Sequence, residues 1–338
     1  MIKTNFEVPI VLFTFKRADK TLEVLDQIAQ VRPSKLYILS DEGRNEEEKK
    51  TVSKLRKDIE ERITWDCELI KNYADKNRGV YENIGVGARW VLERESSAIF
   101  LEDDNLPDIT FFAFCQEMLE KYKNEEKVLW ICGTNYLEEY KSVKGESYMF
   151  TSNMLPCGWA SWSKKFLKYY DGELKLWKDS NTRKKLIKSK KYYKPLLQQD
   201  FKNWDRELDR INRNLKPDSW DYQMALALKA NDLLGIAPKY NLIQNIGVDL
   251  DSIHGGTSFD LEMTKRFCGI PTKAMEFPLN HPEKIEISID FEKKTSKIMT
   301  LPKLVRLKED LSSFIKKILK MNREESIVNK IKKTLGVR

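Results

Sequence analysis

Three consecutive carboxylates, Glu102-Asp103-Asp104, stand where the apolar run Ala98-Ile99-Phe100-Leu101 ends and the turn residues Asn105-Leu106-Pro107 begin. The run reads as a short buried strand. Carboxylates at the end of such a strand repel one another and resist losing water. A hard divalent cation reconciles them, because Mg²⁺ and Mn²⁺ take oxygen ligands and share them with substrate phosphates. The plain alternative is an acidic strand-to-loop junction facing water. Strand side chains alternate in direction, so three adjacent acids cannot all face one ion.

Other residues could join them. Arg17 follows the apolar run Pro9–Phe15, and a guanidinium fork suits phosphate oxygens. Asp41 lies in Ser40-Asp41-Glu42-Gly43, which is also good turn chemistry. Arg78 lies in Lys76-Asn77-Arg78-Gly79, where a glycine permits close backbone approach. Asp221, in Trp220-Asp221-Tyr222, opens a helical segment and suits either an N-cap or a general base. His254 sits in Asp251-Ser252-Ile253-His254-Gly255-Gly256, a loop of the kind that closes over a diphosphate. It could ligate a metal or donate to phosphate, or simply face solvent. Trp159 and Trp162, flanked by small residues, could stack on a sugar ring or fill the core. His281 reads as an ordinary turn residue.

The elements that must hold these residues alternate through the first 135 or so positions. Strands are expected at 9–15, 36–39, 67–70, 98–101 and 128–132, with helices at 19–31, 45–62, 81–94 and 109–122 and Asp19 as an N-cap. Such alternation predicts a mostly parallel α/β sheet, whose ligands sit beyond the carboxyl ends of the strands. Arg17, Asp41 and the acidic triplet all fall at such ends. After about residue 150 the alternation stops, and Pro156–Trp162 reads as an aromatic-rich loop. A basic stretch follows at 183–194, then helices at 195–214 and 220–234 and a last strand at 235–237.

Composition narrows the function class. With 338 residues and 41% apolar content, the chain suits a globular protein with one large or two moderate cores. It holds no apolar run long enough to span a bilayer, and its first residues do not resemble a secretion signal. Five widely spaced cysteines without a Cys-x-x-Cys pair, and two histidines, argue against a zinc site or a disulfide framework, so a reducing cytoplasm is expected. From Lys303 to Arg338 there are 11 Lys or Arg against 4 Asp or Glu, a net of +7 out of the chain's +8. The main body is therefore near neutral, which weakens a nucleic-acid reading.

Taken in order, Phe15-Lys16-Arg17, Leu39-Ser40-Asp41, Glu102-Asp103-Asp104-Asn105, Gly158-Trp159, Trp220-Asp221 and Asn245-Ile246-Gly247 with His254 resemble the GT-A class of nucleotide-sugar glycosyltransferases. The likeness is to the branch holding N-acetylglucosaminyltransferase I and many bacterial polysaccharide enzymes, and it runs from Pro9 to about Gly256. It implies a GT-A (Rossmann-like) mostly parallel sheet flanked by helices, with a C-terminal helical extension. It also implies an inverting, metal-dependent transfer from a UDP-sugar to a glycan or lipid-linked glycan acceptor. Asp104 would ligate Mn²⁺ or Mg²⁺, with His254 a further candidate. Asp103 would face the ribose or metal-bound water, and Glu102 the donor sugar. Thr14, Phe15, Arg17, Asp41 and Arg78 would contact the nucleotide, Trp159 and Trp162 the acceptor, and Asp221 would be the base. In this scheme 1–135 is the nucleotide-sugar-binding half, 136–260 the acceptor and catalytic half, 261–302 a connecting segment and 303–338 a basic amphipathic tail. The triplet departs from Asp-x-Asp, a form this branch tolerates, and 163–220 has no counterpart in the resemblance.

Two other classes compete. A sugar-nucleotide nucleotidyltransferase would open with a glycine-rich phosphate loop, and Phe13-Thr14-Phe15-Lys16-Arg17 has no glycine. A non-catalytic protein could dock on a membrane or nucleic acid through its tail. There Leu304, Leu307, Leu311, Phe314, Ile315, Ile318 and Leu319 recur at helical spacing among Lys308, Lys316, Lys317 and Lys320. Such a helix suits an anionic membrane surface, a face of its own domain, or a second copy of the chain in a homo-oligomer.

Overall fold

Continuous apolar runs become central strands, because burial on both faces leaves no room for alternation. The computed structural model describes residues 6–248, 261–318 and 321. In chain order the elements begin β1 (Ile10–Thr14), α1 (Ala18–Val31), β2 (Lys35–Ser40), α2 (Glu46–Arg62) and β3 (Glu68–Tyr73). A π-helical segment (Tyr81–Val86) then runs into α3 (Gly87–Leu92), followed by β4 (Ser97–Glu102), β5 (Asn105–Pro107), α4 (Thr110–Lys121) and β6 (Val128–Cys132). Next come β7 (Tyr148–Thr151), β8 (Trp159–Trp162), α5 (Ser163–Tyr169), α6 (Lys175–Lys178), α7 (Ser180–Lys188) and α8 (Lys194–Asn212). The described part closes with α9 (Asp221–Ala230), β9 (Leu234–Pro238), β10 (Ile243–Asn245), α10 (Glu262–Phe267), α11 (Ile289–Met299) and α12 (Lys303–Ile318).

Eight strands form one sheet in the order β3-β2-β1-β4-β8-β6-β9-β7, and β10 pairs antiparallel with β5 beside it. Within the large sheet six strands run one way and β7 and β8 the other. This is the expected mainly parallel α/β architecture flanked by helices. All of β1 is buried, and α1 turns Val24, Leu25 and Ile28 onto the sheet while α2 presents Val52, Leu55 and Ile59. One broad core holds Ile10, Leu12, Val24, Leu25, Ile28, Leu55 and Ile59 together with Ile99, Leu101, Phe111, Phe112 and Ile131. The chain divides into two compact units, Met1–Lys297 and Ile298–Arg338. All five cysteines are free thiols, and no helix among the described residues is long and apolar enough to cross a membrane.

Three expectations are corrected. The segment read as an aromatic loop contains β8, an antiparallel strand inserted between β4 and β6. Every residue of Trp159-Ala160-Ser161-Trp162 is buried, but four residues interrupted by Ser161 make neither an alternation nor a continuous apolar run. The helix expected at 81–94 opens instead as a π-helix, a widened turn that leaves no periodic signature in the sequence. Arg17, not Asp19, occupies the N-cap of α1 without a side-chain cap, and Asp19 lies in the first turn, where its charge still favours the helix dipole. Residues 163–220 form helices with a core of their own, in which Trp177, Leu186, Leu197 and Trp204 pack on Leu226 of α9.

That helical region is pinned at its start by a buried lysine. Lys165 Nζ donates to the carbonyls of Tyr122, Glu125 and Val128 at 2.6, 2.8 and 2.9 Å. It thereby satisfies acceptors left over where α4 ends. Burial pushes the Lys165 ammonium down to about 8.

Candidate functional site

The carboxyl ends of β1, β2 and β4 lie side by side because β1 pairs in parallel with both neighbours. That arrangement delivers Arg17, Asp41 and the triplet to one edge of the sheet. Arg17 forks across two carboxylates. Its Nη2 donates to Asp103 Oδ1, and its Nη1 lies 3.0 Å from Asp104 Oδ2. The backbone N–H of Phe15 also bonds the Asp103 carboxylate. Asp221, the first residue of α9, approaches from the far side of the sheet order, close enough for its charge to act on Glu102.

Arg17 thus pairs with two acids of the triplet, while the charges of Asp103, Asp104 and Asp221 all act on Glu102. Burial, with the charges of Asp104, Asp103 and Asp221, pushes Glu102 well above the usual carboxylate range, and Arg17 only partly opposes this. For Asp103 burial again outweighs the arginine, and its carboxyl is pushed up to about 6. The site therefore carries an excess of negative charge that a cation would relieve. Among the described residues no three of His, Cys, Asp and Glu are gathered as a ready metal-ligand set. A divalent ion here would take Asp104 as its protein ligand and complete its shell with diphosphate oxygens and water, a common mode for Mg²⁺. His254 lies outside the described residues.

Asp104 is set by contacts that no local pattern reveals. Asn105 Nδ2 donates to its Oδ1 at 2.7 Å, and the Ile246 N–H donates to its carbonyl at 2.9 Å. Asn105 is buried, and its Oδ1 accepts from the Gly158 N–H at 2.8 Å. Gly158 holds φ +58°, a conformation that favours glycine. Gly247 is packed so tightly on the site that an added Cβ would overlap Asp104 Oδ2. Gly247→Ala should therefore displace the carboxylate, and would weaken nucleotide binding through a metal at Asp104 about tenfold, the scale of a change that disturbs a ligand's support. Calorimetric titration of UDP with Mn²⁺ checks it, and unchanged affinity would free Asp104 from that constraint.

Asp41 is fully engaged. Its Oδ1 accepts from the Glu42 and Arg78 N–H groups at 2.8 and 2.7 Å, and its Oδ2 from Gly79 N and Asn77 Nδ2 at 2.9 and 3.1 Å. With four donors on its two oxygens, this carboxylate organises the loop carrying half-buried Arg78. Thr14 is buried, its hydroxyl has no hydrogen-bond partner among the described residues, and its carbonyl accepts from Asp41 N at 2.9 Å. Arg56 is a residue that motif reading passes over. It reaches Ser40 Oγ, Asp41 O and Ala74 O at 3.0, 3.2 and 3.1 Å, tying the ends of β2 and β3. Its signal was position, one turn after Val52 on the buried stripe of α2.

The two tryptophans expected at an acceptor surface lie in the core, 1% and 6% exposed. Trp159 stacks between Phe100 and Trp130 with centroids 3.9 and 4.2 Å away, and Trp220 adjoins at 5.5 Å. Trp162 donates to Leu119 O at 2.9 Å and has Lys165 Nζ over its ring at 3.6 Å. Neither offers a free ring face to a sugar. The Trp159 stack instead carries Trp220, the residue that precedes Asp221.

Lys16, beside Arg17, is tied to α2 through Glu48, with Nζ–Oε1 at 3.2 Å. Hydrogen bonds from the Arg44 side chain, and then from the Arg44 N–H and Lys16, hold the Glu48 carboxyl down at about 2 against a usual 4.5. Folding therefore favours the ionised form. The resulting stability is complete above pH 4.5 and is lost as the pH falls towards 2. The gap in urea midpoint between the parent and Glu48→Gln should be widest above pH 4.5 and close near pH 2. A pH-independent gap would remove ionisation from the account.

No family model matches the chain, and no curated protein matches it in sequence. Among solved structures, apo mouse xyloside xylosyltransferase 1 is 10% identical, covering 82% of this chain and 99% of that one at a TM-score of 0.36. UDP-glucose pyrophosphorylase complexed with UDP-glucose is 10% identical, over 70% of this chain and 93% of that one, at 0.33. The bifunctional glycosyltransferase WbbM is 13% identical, over 70% and 46%, at 0.29. With TM-scores this low, the functional reading rests on the side chains alone.

Proposed function

We propose that this protein transfers a sugar from a nucleotide-diphosphate donor, a UDP-sugar, to a hydroxyl of a glycan or lipid-linked glycan, with inversion at the anomeric carbon. The observation that carries the reading is the triplet at the end of β4, with two of its acids paired with Arg17 and the third, Glu102, close enough to Asp221 of α9 to feel its charge. Such a site serves a donor whose leaving group is anionic and whose partner nucleophile must lose a proton. A divalent Mn²⁺ or Mg²⁺ at Asp104 would supply charge stabilisation to the departing diphosphate. Arg17 holds Asp103 and Asp104 in fixed relation, and Asn105 and Gly247 set the orientation of Asp104. Glu102, the last residue of β4, would meet donor sugar hydroxyls.

Asp221 takes the proton from the acceptor hydroxyl as that oxygen attacks. Its Oδ1 is steadied by the Ser219 hydroxyl and by the Tyr222 N–H at 3.1 Å, so the carboxylate is oriented before substrate arrives. A nucleotidyltransferase would need a phosphate-cradling loop after β1. Here the connection to α1 is Phe15-Lys16-Arg17, without a glycine. A thermal-shift panel of UDP-, GDP-, dTDP- and CMP-sugars with and without Mn²⁺ tests the proposal. Saturating at 100 times Kd should add about 2.7 kcal/mol of stability. The UDP-sugar should give the largest shift, and only with metal. No shift with any nucleotide sugar would defeat the reading.

A further inference from the structure

α12 carries a concentrated apolar surface. Leu304, Leu307, Leu311, Phe314 and Ile318 are 73%, 52%, 59%, 62% and 63% exposed. Single exposed leucines are ordinary. These five are not scattered: at 3.6 residues per turn they fall within an arc of about 80°. Lys303 lies about 20° beyond one border of that arc and Lys308 about 40° beyond the other, and both are exposed. An apolar stripe edged by lysines fits a surface that is greasy within and anionic at its rim.

The charge of the whole segment agrees. Residues 303–338 hold a net +7 while the other 302 positions are near +1, so the exposed stripe and the chain's positive charge coincide. A second copy would bring +7 against +7, which opposes self-association through this segment. Among the described residues the helix is also too short to cross a bilayer. Its 16 residues reach about 24 Å, short of a hydrocarbon core of about 30 Å.

We propose that α12 docks the protein on an anionic lipid bilayer, lying in the headgroup plane with the leucine face against the acyl chains and the lysines among lipid phosphates. The inference is independent of the transfer chemistry, and nucleotide binding serves as the control for folding. Vesicle flotation of the full chain tests it. The parent should float with phosphatidylglycerol-containing vesicles at low salt, be released at high salt, and stay down with pure phosphatidylcholine.

Leu311→Asp with Phe314→Asp places charge on the stripe at two highly exposed positions and should abolish flotation without altering thermal unfolding. Lys303→Gln with Lys308→Gln should weaken partitioning about fivefold per lysine, roughly 25-fold for the pair. Failure of the parent to float, equal binding to neutral vesicles, or flotation by the aspartate pair overturns the proposal. A concentration-dependent dimer in light scattering, abolished by the aspartate pair and without vesicle binding, assigns the face to a second copy and overturns it equally.

Discussion

Asp221→Asn should keep donor binding and lose transfer by about 100-fold or more, the usual scale of a general base. Asparagine is nearly isosteric, and its side-chain oxygen can still accept from the Ser219 hydroxyl and the Tyr222 N–H that now hold Oδ1. Helix α9 remains anchored through Trp220, which packs on Trp159, and through Met224, Leu226, Ala227 and Leu228 in the core. The fold should therefore survive, and only the capacity to take a proton is removed. Turnover and nucleotide binding measured on the same preparation separate the two effects. Parent-like turnover would remove Asp221 from the chemistry, whereas loss of binding would make it a donor contact instead.

Asp104→Ala should abolish Mn²⁺-dependent UDP binding, a loss of at least about 100-fold, since even changes to the groups behind a metal ligand cost 10- to 100-fold. The structure predicts little damage elsewhere. Arg17 retains Asp103, and the Asp104 carbonyl still accepts from Ile246 N at 2.9 Å. The side chain is 13% exposed at a strand end, outside the apolar core. Melting temperature without ligand should stay close to the parent's, while the shift produced by UDP with Mn²⁺ disappears. A variant that binds nucleotide and metal like the parent would show that the triplet does not hold the metal.

The parts legible in the sequence were those whose signal is local. β1, β2, β4 and β6 announced themselves as continuous apolar runs, and the triplet stood out because it ends one of them. Trp220-Asp221 marked the start of α9 for a similar reason, a helical pattern beginning at a definite residue. β8 escaped because it is only four residues long with Ser161 breaking its apolar run, and because an antiparallel strand slipped between β4 and β6, which nothing near Trp159 foretells. Burial turned Trp159 and Trp162 from expected ligand surfaces into core.

The supports of Asp104 were invisible for another reason. Asn105 meets Gly158, and Gly247 meets Asp104, across distant parts of the chain, so their fit exists only in the folded state. The segment 261–302 held a similar surprise in α11. Glu292 is buried there because the Thr151 and Ser152 hydroxyls and the Ser152 N–H all donate to it. An acid read in isolation would be placed on the surface.

Analysis of the products made from a UDP-sugar, Mn²⁺ and a glycan acceptor tests the central claim most directly. The parent should release UDP in step with a new glycosidic bond of inverted configuration, and Asp221→Asn should release almost none while still binding donor. Release of pyrophosphate, or a product that retains the donor's anomeric configuration, would contradict a single-base transfer at Asp221.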